Sequence, residues 1–189
     1  MLALLVALQA SDVSSPQTAP RLTPEERTLL KDGEVVVRSS KRDGGGENLV
    51  AVIDVDAPPE ATLDAVLDVE ARADEVSVLH AVSLYKDTAS LMGATYDYAI
   101  AGMSGSFHIL YDIDRARGFA CYYLDSSQEN DIDTPSGSYQ VYPRGEVSRM
   151  VYRVEIQGDG WTPAWVHKAL VARNLPEQLK GIRARAERD

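Results

Sequence analysis

Three histidines, one cysteine, a serine among glycines and one acidic loop are the parts of this 189-residue chain whose types could do chemistry. His80, His108 and His167 are scattered, and the spacings HExxH, CxxC and the EF-hand loop do not occur, so the sequence assigns no metal site. Cys121 stands alone, which excludes an intrachain disulfide and a cysteine cluster, and its apolar context FACYYL reads as a buried, unreactive thiol. Ser104, in Gly-Met-Ser-Gly-Ser, departs from the G-x-S-x-G spacing and falls between two strand patterns, so it reads as part of a hairpin turn. The loop 125–133, DSSQENDID, offers oxygen ligands but lacks the mid-loop glycine and closing glutamate of a calcium loop, and reads as solvated. Gly44, Gly45 and Gly46 have no Lys-Ser/Thr and no helix after them, which a phosphate cradle requires. An acid/base enzyme would need a carboxylate or histidine aimed inward. Asp97, Glu155 and His108 fall on the outward parity of their strands, so no catalytic residue and no cofactor are assigned.

The tyrosines carry more information. In strand patterns the side chains alternate between faces, so residues two apart share a face. One face collects Met92, Tyr96, Tyr98 and Ile100, then Phe107, Ile109, Tyr111 and Ile113, then Tyr139 and Val141, then Met150, Tyr152, Val154 and Ile156. Tyr96, Tyr98, Tyr111, Tyr139 and Tyr152 on a concave face bring hydroxyls that need partners from protein, water or a ligand. The alternative is that they sit at a rim with wet hydroxyls.

Such a face needs elements to hold it. Residues 23–31 open with Thr23, Pro24 and Glu26, a capping box, and predict a short helix. Strands follow at 34–38 and 49–55, then helices at 60–67 and 69–75, then strands at 79–87, 90–101, 106–115, 118–126, 137–142 and 147–157. The linking turns, including 102–105, are short enough for antiparallel hairpins. The chain ends in a helical pattern at 161–188, with Thr162 and Pro163 starting it and Pro176 breaking it near Asn174. Val166, Ala169, Leu170, Leu175, Leu179, Ile182 and Ala186 form its apolar stripe. The expected fold is α+β, a curved antiparallel sheet wrapped around a long C-terminal helix. Trp165, Val166, Ala169 and Leu170 would wall a compartment together with Tyr96, Tyr98, Phe107, Ile109, Tyr111, Tyr139, Tyr152 and Val154.

The formal net charge of -10 argues against nucleic acid as a partner. The last helix is locally basic, through Lys168, Arg173, Lys180, Arg183, Arg185 and Arg188. Those bases read either as its solvated face or as a weak patch for transient contact with a membrane surface. The apolar stretch MLALLVALQA resembles the core of a signal peptide without its charged n-region. The expected organisation is an apolar leader and polar linker over 1–22 and one domain over 23–189. The expected location is periplasmic or secreted, with cytoplasmic as the alternative.

Several local signatures carry a family resemblance over residues 33–187. They are Val55-Asp56-Ala57-Pro58-Pro59-Glu60, Tyr122-Tyr123-Leu124-Asp125, Asn130-Asp131-Ile132, Gly137-Ser138-Tyr139, Met150-Val151-Tyr152, Trp161-Thr162-Pro163-Ala164-Trp165 and Asn174-Leu175-Pro176. With this order of elements, the chain resembles the START and birch-pollen-allergen superfamily, also called SRPBCC or polyketide cyclase/dehydrase and lipid transport. It is nearest to coenzyme Q-binding and cyclase-like bacterial members. The resemblance implies the helix-grip fold and a cavity for a lipid, quinone, sterol or polyketide-like molecule. Three functions stay open: a carrier or sensor of a hydrophobic small molecule, a cyclase/dehydratase-type enzyme using the same cavity, and an interaction module whose cavity is closed.

Overall fold

A computed structural model describes residues 13–42, 46–100, 102–133, 136–156 and 174–188. Eight antiparallel strands form one sheet: β1 (Val36–Lys41), β2 (Glu47–Val55), β3 (Leu79–Asp87), β4 (Leu91–Ile100), β5 (Met103–Asp114), β6 (Phe119–Leu124), β7 (Ser136–Arg144) and β8 (Val147–Ile156). Their order is β1-β2-β8-β7-β6-β5-β4-β3, so β3 to β8 run as a meander and β8 returns to pair with β2. The helices among the described residues are α1 (Pro24–Lys31), α2 (Pro59–Leu67), α3 (Arg72–Glu75) and α4 (Leu175–Ala186), with a 3-10 turn at Arg115–Arg117. This is the expected helix-grip α+β architecture.

Alternation sorts the two faces. The inner face gathers Ala51 and Ile53, Met92, Tyr96 and Tyr98, Phe107, Ile109 and Tyr111, Tyr122, Tyr139, Tyr152 and Val154 into one core with Leu175, Leu179, Ile182 and Ala186 of α4. The stripe predicted for the second half of the last helix is therefore the one buried. Pro176 lies in the first turn of α4, where its missing N–H would have had no intrahelical acceptor.

On the outer face, Val52 and Val151 pack with Leu22, Leu30 and Val36. The capping box of Thr23 and Glu26 is present as predicted. Residues 13–22, expected as linker, are tied to that face: the Tyr142 hydroxyl donates to the Gln17 carbonyl at 2.7 Å, and Arg153 reaches the Thr18 carbonyl.

One local expectation is corrected. The residues 102–105, read as a turn, mostly belong to β5: Ile100 pairs with Met103 and Tyr98 with Gly105, which leaves a two-residue turn with Gly102 at φ 85°. A tight turn with positive φ suits glycine, and the extra glycine and serines were not needed for it. The acidic loop 125–133 is mostly exposed, as expected, and is also tied to β5 by hydrogen bonds. Where β6 stops, the Ser106 amide donates to the Asp131 carboxylate and the His108 amide to the Asn130 side chain, both at 2.7 Å. The amides of Asp125 and Asp131 donate to the carbonyls of His108 and Ser106. The loop thus supplies side-chain acceptors to a strand edge that would otherwise lack partners. Asp125 itself accepts from the Ser127 amide and hydroxyl and from the Tyr85 hydroxyl, bonds that hold its carboxyl below the usual range, the Ser127 hydroxyl foremost.

Candidate functional site

Cross-strand registry builds the site. Tyr96 stands opposite Phe107, Tyr111 opposite Tyr122, and Tyr139 opposite Tyr152, so five adjacent strands lay their aromatic residues side by side on the inner face. Tyr96 stacks on Phe107 with ring centroids 5.1 Å apart, and Tyr139 on Tyr152 at 4.6 Å. Offset stacking of this kind adds to the gain from burial.

The hydroxyls do not stay wet. Those of Tyr96 and Tyr111 bond to each other at 2.6 Å, those of Tyr122 and Tyr152 at 2.5 Å, and that of Tyr139 accepts from the Gln178 side-chain amide of α4 at 2.9 Å. The rim alternative therefore fails for these residues. Burial pushes the phenols of Tyr96, Tyr122 and Tyr152 well up, and Tyr139 to about 12 against the opposing pull of Arg72, so all four are neutral near pH 7.

The residue that organises them is Arg72, at the start of α3. It is 4% exposed. One terminal nitrogen, Nη1, donates to Tyr111 at 2.7 Å and to Tyr96 at 3.2 Å, and the other, Nη2, donates to the Val66 carbonyl at 2.8 Å. The guanidinium carbon lies 5.5 Å from the centre of the Tyr111 ring and 5.3 Å from that of Tyr139, within cation–π range. Among the described residues its Nε has no hydrogen-bond partner. Burial opposes its charge, the tyrosine oxygens favour it, and the balance lies above the ordinary arginine value, so it is a permanent cation.

The helices that carry Arg72 are clamped together. Arg185 of α4 pairs with Glu75 of α3 and with Asp68, and donates to the Ala65 carbonyl at the end of α2. Thr62 of α2 and Ser148 of β8 share a buried hydroxyl bond of 2.8 Å. The basic face predicted for the last helix is partly used this way: Arg183 donates to the Gly33 carbonyl, and Lys180 faces Glu34 at 3.6 Å.

Eight of the twelve residues predicted to contact a ligand, Tyr96, Tyr98, Phe107, Ile109, Tyr111, Tyr139, Tyr152 and Val154, are brought together in this buried face. Trp165, Val166, Ala169 and Leu170 lie outside the described residues, as does His167. The sequence reading missed Arg72, Tyr122 and Gln178. Tyr122 could have been found, since it shares the parity of Ala120 and Leu124, but the unbroken apolar run FACYYL hides which alternate residues face inward. An arginine in a short, polar helix carries no sign of burial. Elsewhere, His108 is held on the outer side by the Glu129 carbonyl and the edge of the Tyr85 ring. Cys121 is buried as expected. Among the described residues, no cluster of histidine, cysteine and carboxylates could hold a metal ion.

The comparisons with known structures define the class of fold. The chain is similar to a STAR-related lipid transfer protein fragment from Xanthomonas axonopodis, with a TM-score of 0.67 and 14% identity over 82% of this chain and 94% of that one. It is similar to the Zhui aromatase/cyclase from Streptomyces sp. R1128, with a TM-score of 0.62 and 17% identity over 81% and 95%. Human STARD10 aligns with a TM-score of 0.62 and 14% identity over 93% of this chain and 84% of that one. The fold is that of the START-like superfamily, as the sequence signatures implied. No family model and no curated protein sequence matches the chain.

Proposed function

We propose that this protein binds a hydrophobic small molecule, as a carrier or sensor, between the inner face of its sheet and its C-terminal helix. The observation that carries the reading is the contiguous aromatic and aliphatic face running from Tyr96 across Tyr111, Tyr122 and Tyr139 to Tyr152. The likeness in fold to a lipid transfer protein supports it. Apolar surface moved from water onto such a face gains roughly 25 cal/mol per Å², so a ligand giving up about 300 Å² would gain roughly 7 kcal/mol before the cost of its immobilisation.

The cyclase/dehydratase reading draws on the likeness to an aromatase/cyclase. It requires an acid/base group beside the ligand. Inside the described core the charged side chain is Arg72, which holds its proton permanently, and burial holds Tyr96, Tyr122, Tyr139 and Tyr152 neutral, while Asp97, Glu155 and His108 project from the outer face. Binding without turnover is therefore favoured.

The test is organic extraction of protein purified from its native membranes and cytosol, followed by mass spectrometry, together with titration of the neutral dye Nile red. A stoichiometric apolar compound and a single saturable dye site are expected. A protein that co-purifies with nothing and leaves Nile red in water has no such function. The apolar residues 1–10 and the need to exchange an apolar cargo support export and transient contact with a membrane, which cell fractionation and vesicle co-sedimentation would test.

A further inference from the structure

The hydrogen bonds around Arg72 are unbalanced. Arginine offers five donors and no acceptor. Four are on the two terminal nitrogens, which reach Tyr96, Tyr111 and the Val66 carbonyl, and the fifth, on Nε, reaches nothing. The two tyrosines add to the surplus. In the 2.6 Å contact between their hydroxyls one proton lies between the oxygens, so the other hydroxyl proton has no acceptor in the contacts the pair makes among the described residues. Both oxygens already accept from Arg72. The cluster is therefore short of acceptors and rich in donors.

Its charge is equally unbalanced. Arg185, a partly buried arginine of the helical layer, has Glu75 and Asp68 as counterions. Among the described residues Arg72 has none: its partners there are two phenol oxygens, one carbonyl and the faces of two rings. A buried cation without an anion is a costly thing to build into a core, and one partner of opposite charge changes the balance by more than any neutral one. An anion whose two oxygens accept and never donate would satisfy the orphan Nε, the spare phenol proton and the charge at once.

We propose that Arg72, Tyr96 and Tyr111 form the head-group site for the carboxylate of an otherwise apolar ligand. This rests on the reading that the inner face binds a hydrophobic molecule, and it narrows that molecule to a long-chain or polycyclic carboxylic acid. The carboxylate meets Nε and the free hydroxyl proton, and the apolar remainder lies along the aromatic face of β5 to β8. Alcohols, esters and hydrocarbons of the same size fill the face but leave the cation unpaired.

The experiment compares cis-parinaric acid with its methyl ester, by fluorescence, on the full chain at neutral pH. The acid is expected to bind at least about tenfold more tightly than the ester, a difference of about 1.4 kcal/mol. In R72M the acid should lose this advantage, so that the two bind alike. If wild type binds acid and ester equally, the head-group site is wrong while the apolar binding function stands. If neither probe nor Nile red binds, both fail together. If R72M keeps the preference for the acid, or loses acid and ester in equal measure, Arg72 is a structural clamp and the proposal falls. Should R72M not fold, the wild-type comparison decides alone, and Y96F with Y111F, which keep the rings, should cut the acid preference.

Discussion

Gly137 and Tyr122 stand opposite each other on β7 and β6, and the Tyr122 ring occupies the place where a side chain at 137 would begin. A Cβ there would lie 2.5 Å from the Tyr122 ring and hydroxyl and 2.6 Å from the Arg153 carbonyl. The missing side chain is what lets Tyr122 lean far enough to meet the Tyr152 hydroxyl. Glycine in a strand generally weakens it, so its presence here reflects close approach rather than strand propensity.

Gly137→Ala should therefore destabilise the protein despite its better strand propensity. Tyr122 could swing away, but the Arg153 carbonyl belongs to the β8 ladder and cannot. Overpacking of this kind costs about 1–3 kcal/mol, which for a chain of this size is a fall in Tm of roughly 2–12 °C. Thermal unfolding measures it. An unchanged Tm would mean that the sheet gives locally and the contact is soft.

The fold was legible because it rests on periodicity, which the sequence displays directly. Tyr96, Tyr98, Phe107, Tyr111, Tyr139 and Tyr152 announce one face by their spacing, and Leu175, Leu179, Ile182 and Ala186 announce the stripe that meets it. What was illegible depends on contacts between residues far apart in the chain. Arg72 is exceptional only because Tyr96 and Tyr111 arrive beside it, and the acidic loop is ordered only because β5 outruns β6 and leaves amides to satisfy. Neither fact has a local signature. The short turn at Gly102 was misplaced for a related reason, since Ser104 and Gly105 look like turn residues until their pairing with β4 is known.

Asp54 gives a prediction with a definite pH dependence. Its carboxylate accepts from Arg149 at 2.6 and 2.8 Å and from Arg144 at 2.8 Å. Burial works against the charge, the two arginines outweigh it, and the folded-state pKa lies below the ordinary value. A depressed carboxyl pKa contributes stability above the unfolded value of about 3.9, and that contribution is lost as pH falls through the folded value. Asp54→Asn should cost about 1–2 kcal/mol at pH 7, a figure held down by the partial exposure of the pair. The difference from wild type should vanish in denaturation curves taken below the folded pKa. A gap that persists there would assign the loss to packing rather than charge.

The buried phenols predict the opposite limb. Tyr96, Tyr122 and Tyr152 are held neutral by burial, and Tyr139 is pushed up to about 12. In the unfolded chain tyrosine titrates near pH 10. A folded value above the unfolded one gives stability that is complete below about pH 10 and is lost as pH rises through the folded values. Spectrophotometric titration should show part of the nine tyrosines ionising normally and the rest only in step with unfolding. Independent ionisation of all nine, with circular dichroism unchanged, would show that the cluster is open to water.

The segment 13–22 offers a test of local stability. The Tyr142 hydroxyl holds it through the Gln17 carbonyl, and Arg153 holds it through Thr18. Tyr142→Phe keeps the ring over the outer cluster and removes one of these ties. Segments with few buried contacts open without global unfolding. Hydrogen exchange in 13–22 should speed up severalfold while Tm falls by no more than about 2–4 °C, since one partly exposed bond contributes about 1 kcal/mol. Faster exchange across β7 and β8 as well would mean that the segment braces the whole sheet.

Arg72 supplies the prediction that separates function from stability. Replacing it with methionine keeps the length and removes a charge that is buried without a counterion. The Tyr96–Tyr111 bond survives, while the bonds to the Val66 carbonyl and to the two phenol oxygens and the contacts with the Tyr111 and Tyr139 rings are lost, each hydrogen bond contributing about 1 kcal/mol against the cost of burying the charge. Exchanging buried ionic groups for apolar ones of similar volume is often neutral or stabilising by 1–4 kcal/mol. The ligand-free R72M protein should thus have a Tm equal to that of wild type or several degrees higher. A fall of more than about 5 °C would show that the arginine is there to hold α2, α3 and the sheet together. An equal or raised Tm would mean that the chain keeps a destabilising cation on its inner face, as residues retained for binding commonly do.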